Sequence, residues 1–129
     1  MTWLDLPLLL WLAADAARLT GGTPVADLPA IHRVPAAQLA AVCGPCVAAY
    51  RRPVILLRDD IDLGTTAGRA VLVHELVHHH QAMTGRTGAH CSARRAAEVE
   101  AITVASAWAE EQGDATHQIA LPATCGRSH

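Results

Sequence analysis

The chain has no phenylalanine, a single tyrosine and three tryptophans, so aromatic residues make up only 3% of it. Leucine, valine and alanine must fill its core, and such small side chains suit closely packed helices better than a large β-sandwich. Lysine is absent as well. All ten basic residues are arginines, and against twelve acidic residues they leave a formal net charge of −2. No basic stripe runs along the sequence, so the electrostatic footprint of nucleic-acid binding is missing. Long apolar runs are missing too. The stretch from Leu4 to Ala17 carries Asp5 and Asp15 and is too short and too charged to span a bilayer. It has neither a basic leader nor an obvious cleavage site and so does not read as a signal peptide, although a leader removed earlier would leave no trace. It reads as an amphipathic core helix, with Leu4, Leu8, Trp11, Leu12 and Leu19 near one stripe and Asp5 as a cap ahead of Pro7.

What is present is a 51% hydrophobic chain of 129 residues, read as one domain over residues 1–129. No repeat, long linker or low-complexity tract divides it. The pattern predicts a helix over about Leu6 to Leu19, stopped by Gly21-Gly22. A proline-marked loop follows, with a short strand near Ile31 to Val34 and a helical turn from Ala36 to Val42. Val47 to Tyr50 and Val54 to Arg58 read as two short strands, with Pro53 favouring an edge position or bulge. A strong helix is expected from Thr66 to Met83, stopped by Gly85. Ser92 is the expected cap of a second long helix reaching to Gln112, and residues 114–129 look irregular.

The first long helix holds the run Val71-Leu72-Val73-His74-Glu75-Leu76-Val77-His78, an HExxH motif inside an apolar stretch. Residues four apart on a helix lie about 6 Å apart along the axis and ~40° apart around it, so His74 and His78 share a face and can grip one Zn²⁺. Glu75 adjoins them and is placed to polarise a metal-bound water. A buried histidine pair on a core helix explains the motif poorly, because an unpartnered carboxylate in the same apolar run is costly.

A catalytic zinc takes a third protein ligand. The metzincin pattern is excluded, since Gln81 and Thr84 stand where it requires Gly and His. His90 lies in a Gly-flanked loop with no pattern behind it. Glu98 lies twenty residues after His78, one or two turns into the second helix, where a short connection would let it face both histidines. Glu100 is about 200° further round that helix. Only one of the two can point at the metal, and Glu100 is expected to face solvent. Val99, Thr103 and Ser106 or Ala107 are expected on the face nearest the core. His79 and His80 point away from the metal side of His74 and are expected at the surface or rim.

His74-Glu75-Leu76-Val77-His78 followed by Glu98-Val99-Glu100-Ala101 resembles the gluzincin clan of zinc metallopeptidases. It is most similar to the single-domain minigluzincins and to uncharacterised bacterial proteins with an HELVHxxQ stretch. The resemblance covers about residues 54–112 and implies a compact α+β zincin with a small β region, an active-site helix and a glutamate helix. It implies Zn²⁺ held by His74, His78 and Glu98, with Glu75 as general base in the hydrolysis of a peptide or protein substrate. Two positions depart from the pattern. Ile102 stands where many gluzincins carry an Asp or Asn that orients the first histidine, and His80 stands where an apolar residue is usual. The first departure keeps open a zinc-binding protein with little or no turnover. In this reading Val54 to Arg58 binds an extended substrate by edge pairing, and Tyr50 and His117 are candidate oxyanion donors.

Four cysteines remain: Cys43, Cys46, Cys91 and Cys125. Their even number permits two disulfides and leans towards an exported protein. Cys43-Gly44-Pro45-Cys46 matches the dithiol of thioredoxin-like oxidoreductases, which is a third functional reading. That chemistry needs the motif at a helix N-terminus in a βαβ unit, and the preceding residues show none. A structural disulfide within the motif or to Cys91 is the better expectation, with Cys91 and Cys125 placed to staple the tail to the second helix. Knuckle spacing for a four-cysteine zinc site is absent.

Overall fold

The structure is a computed structural model and describes residues 5–114. Among these residues the element order is α1 (Leu6–Thr20), β1 (Ala30–Val34), α2 (Ala36–Cys43), β2 (Ala48–Arg51), β3 (Val54–Arg58), α3 (Thr66–Met83) and α4 (Cys91–Glu111). Four helices and one three-stranded sheet make this an α+β fold. No helix among the described residues is long and apolar enough to cross a membrane.

Local chemistry explains the helix ends. α1 stops at Gly21, which adopts φ 80° and so turns the chain out of the helix at no steric cost. The N–H groups of Gly21 and Gly22 then bond the carbonyls of Arg18 and Ala17. α3 starts at the Thr65 cap, whose Oγ1 accepts from the Gly68 N–H at 3.0 Å. A Cβ on Gly68 would lie 1.9 Å from the carbonyl oxygen of Asp62, so glycine is what lets the preceding turn rest on the first turn of α3. α4 departs from expectation. His90 occupies the cap position without a side-chain cap, and Ser92 lies within the first turn.

The strand order is β1-β3-β2, with β3 parallel to β1 and antiparallel to β2. This corrects the edge-strand expectation for Val54 to Arg58. Both of its edges are already paired, so it cannot take up an extended substrate. Pro53 lies in the turn ahead of the ladder, where its missing N–H interrupts no pairing.

Side chains alternate across the sheet. Ile31, Tyr50 and Ile55 pack with the helices, while Val34, Ala49 and Leu56 face a smaller cluster around Leu39 and Cys43 of α2. α1, α3 and α4 share the larger core of Leu9, Leu12, Leu72, Val73, Leu76, Ala101, Ala105 and Trp108. Two predicted helix faces are therefore rotated. On α1, Leu9 is buried and Trp11 is 39% exposed, lying instead against the Trp108 ring with Arg69 over it. On α4 the core face is Ala101, Val104, Ala105 and Trp108, whereas Thr103 is exposed. Trp108 is fully buried, and its indole N–H donates to Asp15 at 2.9 Å. The Arg18 guanidinium grips Glu111 with both nitrogens and so ties α1 to the end of α4.

Candidate metal centre

α3 and α4 are joined by a short loop and pack together, bringing three side chains to one buried point. His74 and His78 occupy one face of α3, with ring centroids 5.0 Å apart. Glu98, two turns into α4, meets both. Its Oε1 is 2.6 Å from Nε2 of His74, and its Oε2 is 3.3 Å from Nε2 of His78. All three residues are buried, and one ligand atom from each lies within 4.8 Å of the others. Donors around one tetrahedral ion with bonds of ~2.0–2.1 Å stand about 3.3 Å apart. Nitrogen from two imidazoles and oxygen from one carboxylate therefore form a group that can hold a metal ion.

Glu75 supplies an independent test of fit. It is 1% exposed, and neither carboxylate oxygen accepts a hydrogen bond from any described residue. Its pKa is raised, first by burial and then by the Glu98 charge, against the downward pull of His74 and His78. A buried carboxylate with no donor is costly in a closed core, and a hydrated cation beside it removes the anomaly.

The metal-free group is held by protons. Burial pushes Glu98 up, but the close approach of the His74 and His78 rings outweighs it and holds the carboxyl well below its usual range. Burial likewise pulls His78 down. The close approach to Glu98, the charges of Glu75 and Glu98 and the bond to Gln81 prevail and push it up to about 9.

Gln81 is the functional residue that sequence reasoning passed over. The Nδ1–H of His78 donates to Oε1 of Gln81 at 2.9 Å, which leaves Nε2 of the neutral ring as the metal-facing lone pair. The Gln81 amide donates to the Ala97 carbonyl at 2.9 Å and to Glu100 at 3.0 Å, so its orientation is set by α4. The available signal was its place three residues after His78, on the same helix face.

Glu100 corrects another expectation. It faces Gln81 and the Arg86 guanidinium rather than open solvent, and Arg86 holds it through both oxygens at 2.8 and 3.0 Å. His79 and His80 are corrected as well, being 2% and 5% exposed. Nε2–H of His79 donates to the Asp27 carbonyl, and its Nδ1 meets the Tyr50 hydroxyl at 2.9 Å. Nε2–H of His80 donates to the Thr23 carbonyl, and its Nδ1 accepts from Arg86. The two rings thus pin the segment between α1 and β1 onto α3. The Tyr50 hydroxyl is engaged by His79, and burial raises its pKa. His90 is exposed at the start of α4 and is not among the three residues that converge. His117 and Cys125 lie outside the described residues.

Cys43 and Cys46 form a disulfide, with Cα atoms 5.8 Å apart. Cys43 is the last residue of α2. A helix C-terminus disfavours a thiolate, whereas redox-active dithiols of this spacing sit at the opposite end.

No protein-family model matches the chain, and no curated protein or solved structure does either.

Proposed function

We propose that the chain is a zinc-dependent peptidase of gluzincin type, with a minimal zincin fold, in which His74, His78 and Glu98 hold the ion and Glu75 is the general base. The observation that carries this reading is the buried Glu75 carboxylate, without a hydrogen-bond donor, beside two imidazoles and a carboxylate that converge. The donor set of nitrogen and carboxylate oxygen fits zinc, and a bound ion supplies Lewis acidity for a peptide carbonyl and acidity for a water.

The chain's own groups supply the remainder. Glu75 has both oxygens available to take a proton from the attacking water and return it to the departing amine. Gln81 fixes the tautomer of His78 and the orientation of its ring. The fold buries all of these groups and limits competition from bulk water.

A second reading, zinc binding without turnover, draws on Ile102. That position carries a buried aliphatic side chain where gluzincins often have a carboxylate or amide. Cleavage of an unfolded protein substrate by the zinc-loaded chain, and its loss in Glu75→Gln with zinc retained, supports the peptidase. Zinc retention with no cleavage by either protein selects the second reading.

A further inference from the structure

A cavity of about 360 Å³ adjoins the centre at His78. Its walls come from three directions. His78 and Gln81 form the side shared with the metal centre, Tyr50 and Arg51 of β2 form a second, and Thr87 with Arg94 of α4 forms a third. Two arginines line it and no acidic residue does. Most other arginines are engaged: Arg33 is held by the Arg58 and Ile61 carbonyls and Arg69 by the Leu63 carbonyl. Arg18, Arg58 and Arg86 are each ion-paired, with Glu111, Asp60 and Glu100 respectively. Arg94 makes no side-chain hydrogen bond or ion pair among the described residues, and Arg51 makes one bond, to the Val42 carbonyl at 3.2 Å. Two guanidiniums therefore line the same hollow with no carboxylate among its lining residues. Guanidinium is the cation best matched to a carboxylate, because its N–H fork meets both oxygens.

We propose that this cavity is a subsite for a carboxylate-bearing part of the substrate, held by Arg51 and Arg94 next to the bond at the metal centre. The ligand chemistry is a peptide carboxylate, supplied either by an aspartate or glutamate side chain or by a free C-terminus. The assignment rests on the peptidase reading for the word substrate, but the binding chemistry stands on the cavity alone. β2 is an edge strand, and its exposed Arg51 reaches this hollow beside the half-buried Tyr50, whereas both edges of β3 are paired.

The test uses the zinc-loaded full chain carrying Glu75→Gln, so that binding is read without cleavage. The probes are fluorescent alanine-based peptides of one length with Asp, Asn or Lys at each position in turn, each made as free acid and as C-terminal amide. Anisotropy titrations at low salt should show carboxylate peptides binding on the order of tenfold more tightly than their neutral partners, with the difference shrinking as salt is raised. Dependence on an internal Asp in the amidated series identifies a side-chain subsite. Dependence on the free acid regardless of sequence identifies a C-terminus. Both arginines are exposed, so Arg51→Ala/Arg94→Ala leaves the core intact. It should remove the preference while leaving neutral peptides unaffected, and Arg94→Glu should shift the preference to the Lys peptides. Binding that ignores charge, a preference that survives the double variant, or no binding of any peptide overturns the subsite. Charge-dependent binding with no cleavage by the wild-type chain overturns the peptidase reading and leaves the subsite in place. Cleavage without charge preference does the reverse.

Discussion

The imidazole of His78 gives its Nδ1 proton to Gln81, and Gln81 is in turn gripped by the Ala97 carbonyl and the Glu100 carboxylate of the neighbouring helix. One amide therefore transmits the position of α4 to a candidate metal ligand on α3. It fixes which nitrogen of His78 is available to a metal. Such outer contacts commonly set affinity by about 10–100-fold. Gln81→Leu should lower zinc affinity by that order, measured by competition against a chromophoric chelator, while Gln81→Glu, which still accepts from Nδ1, should retain most of it.

Glu98 and Glu100 differ by two residues and have separate tasks in the proposed centre. Glu98→Gln should abolish tight zinc binding, because the amide offers a neutral and weaker oxygen in place of the carboxylate. Glu100→Gln should leave zinc bound at reduced affinity through the loosened hold on Gln81 and Arg86. Chelator competition on the two variants separates ligand from support. Equal losses would contradict the assignment.

Gly22 lies against His80. A Cβ there would come within 2.6 Å of Cε1 and 2.9 Å of Nε2 of a ring already held by the Thr23 carbonyl and Arg86. Gly22→Ala should cost about 1–3 kcal/mol in stability, the usual range for overpacking. Urea unfolding checks it. The double variant with His80→Ala should be less destabilised than the sum of the two single changes, since removing the ring removes the clash.

The protons that hold the metal-free centre predict opposite pH trends with and without zinc. The lowered pKa of Glu98 contributes stability that is full above its ordinary 4.5 and lost as pH falls. The raised pKa of His78 contributes stability that is full below 6.5 and lost as pH rises towards about 9. The metal-free protein should therefore lose this share of its stability between pH 6.5 and 9. Zinc displaces the protons, so the gain in Tm on adding a fixed zinc excess should grow over the same interval. A zinc-induced gain that shrinks with rising pH would contradict the ligand set.

Much of this architecture was legible in the sequence because the relevant signals are local. Gly21 and Gly85 stand just past the helices they end, and α3 spans the expected Thr66–Met83. The spacing of His74, His78 and Glu98 also survives as convergence, since two packed helices joined by a short loop leave little freedom. What was missed depends on distant partners. His79 and His80 are buried because carbonyls 52 and 57 residues upstream cap their rings. The central place of β3 is set by β1, whose pairing with Val54–Arg58 has no local signature. The rotated core face of α4 follows from Trp108 docking beneath Asp15 of α1, which the helical pattern of α4 alone cannot reveal.

The proposed centre places two imidazoles and one carboxylate around a single divalent ion. Zinc-edge X-ray absorption on protein loaded with one equivalent of zinc tests it most directly. The account predicts only nitrogen and oxygen scatterers at about 2.0–2.1 Å, with the outer-ring signal of two histidines, and loss of that pattern in Glu98→Gln. Sulfur scattering at about 2.3 Å, or an oxygen-only shell without imidazole, would contradict it.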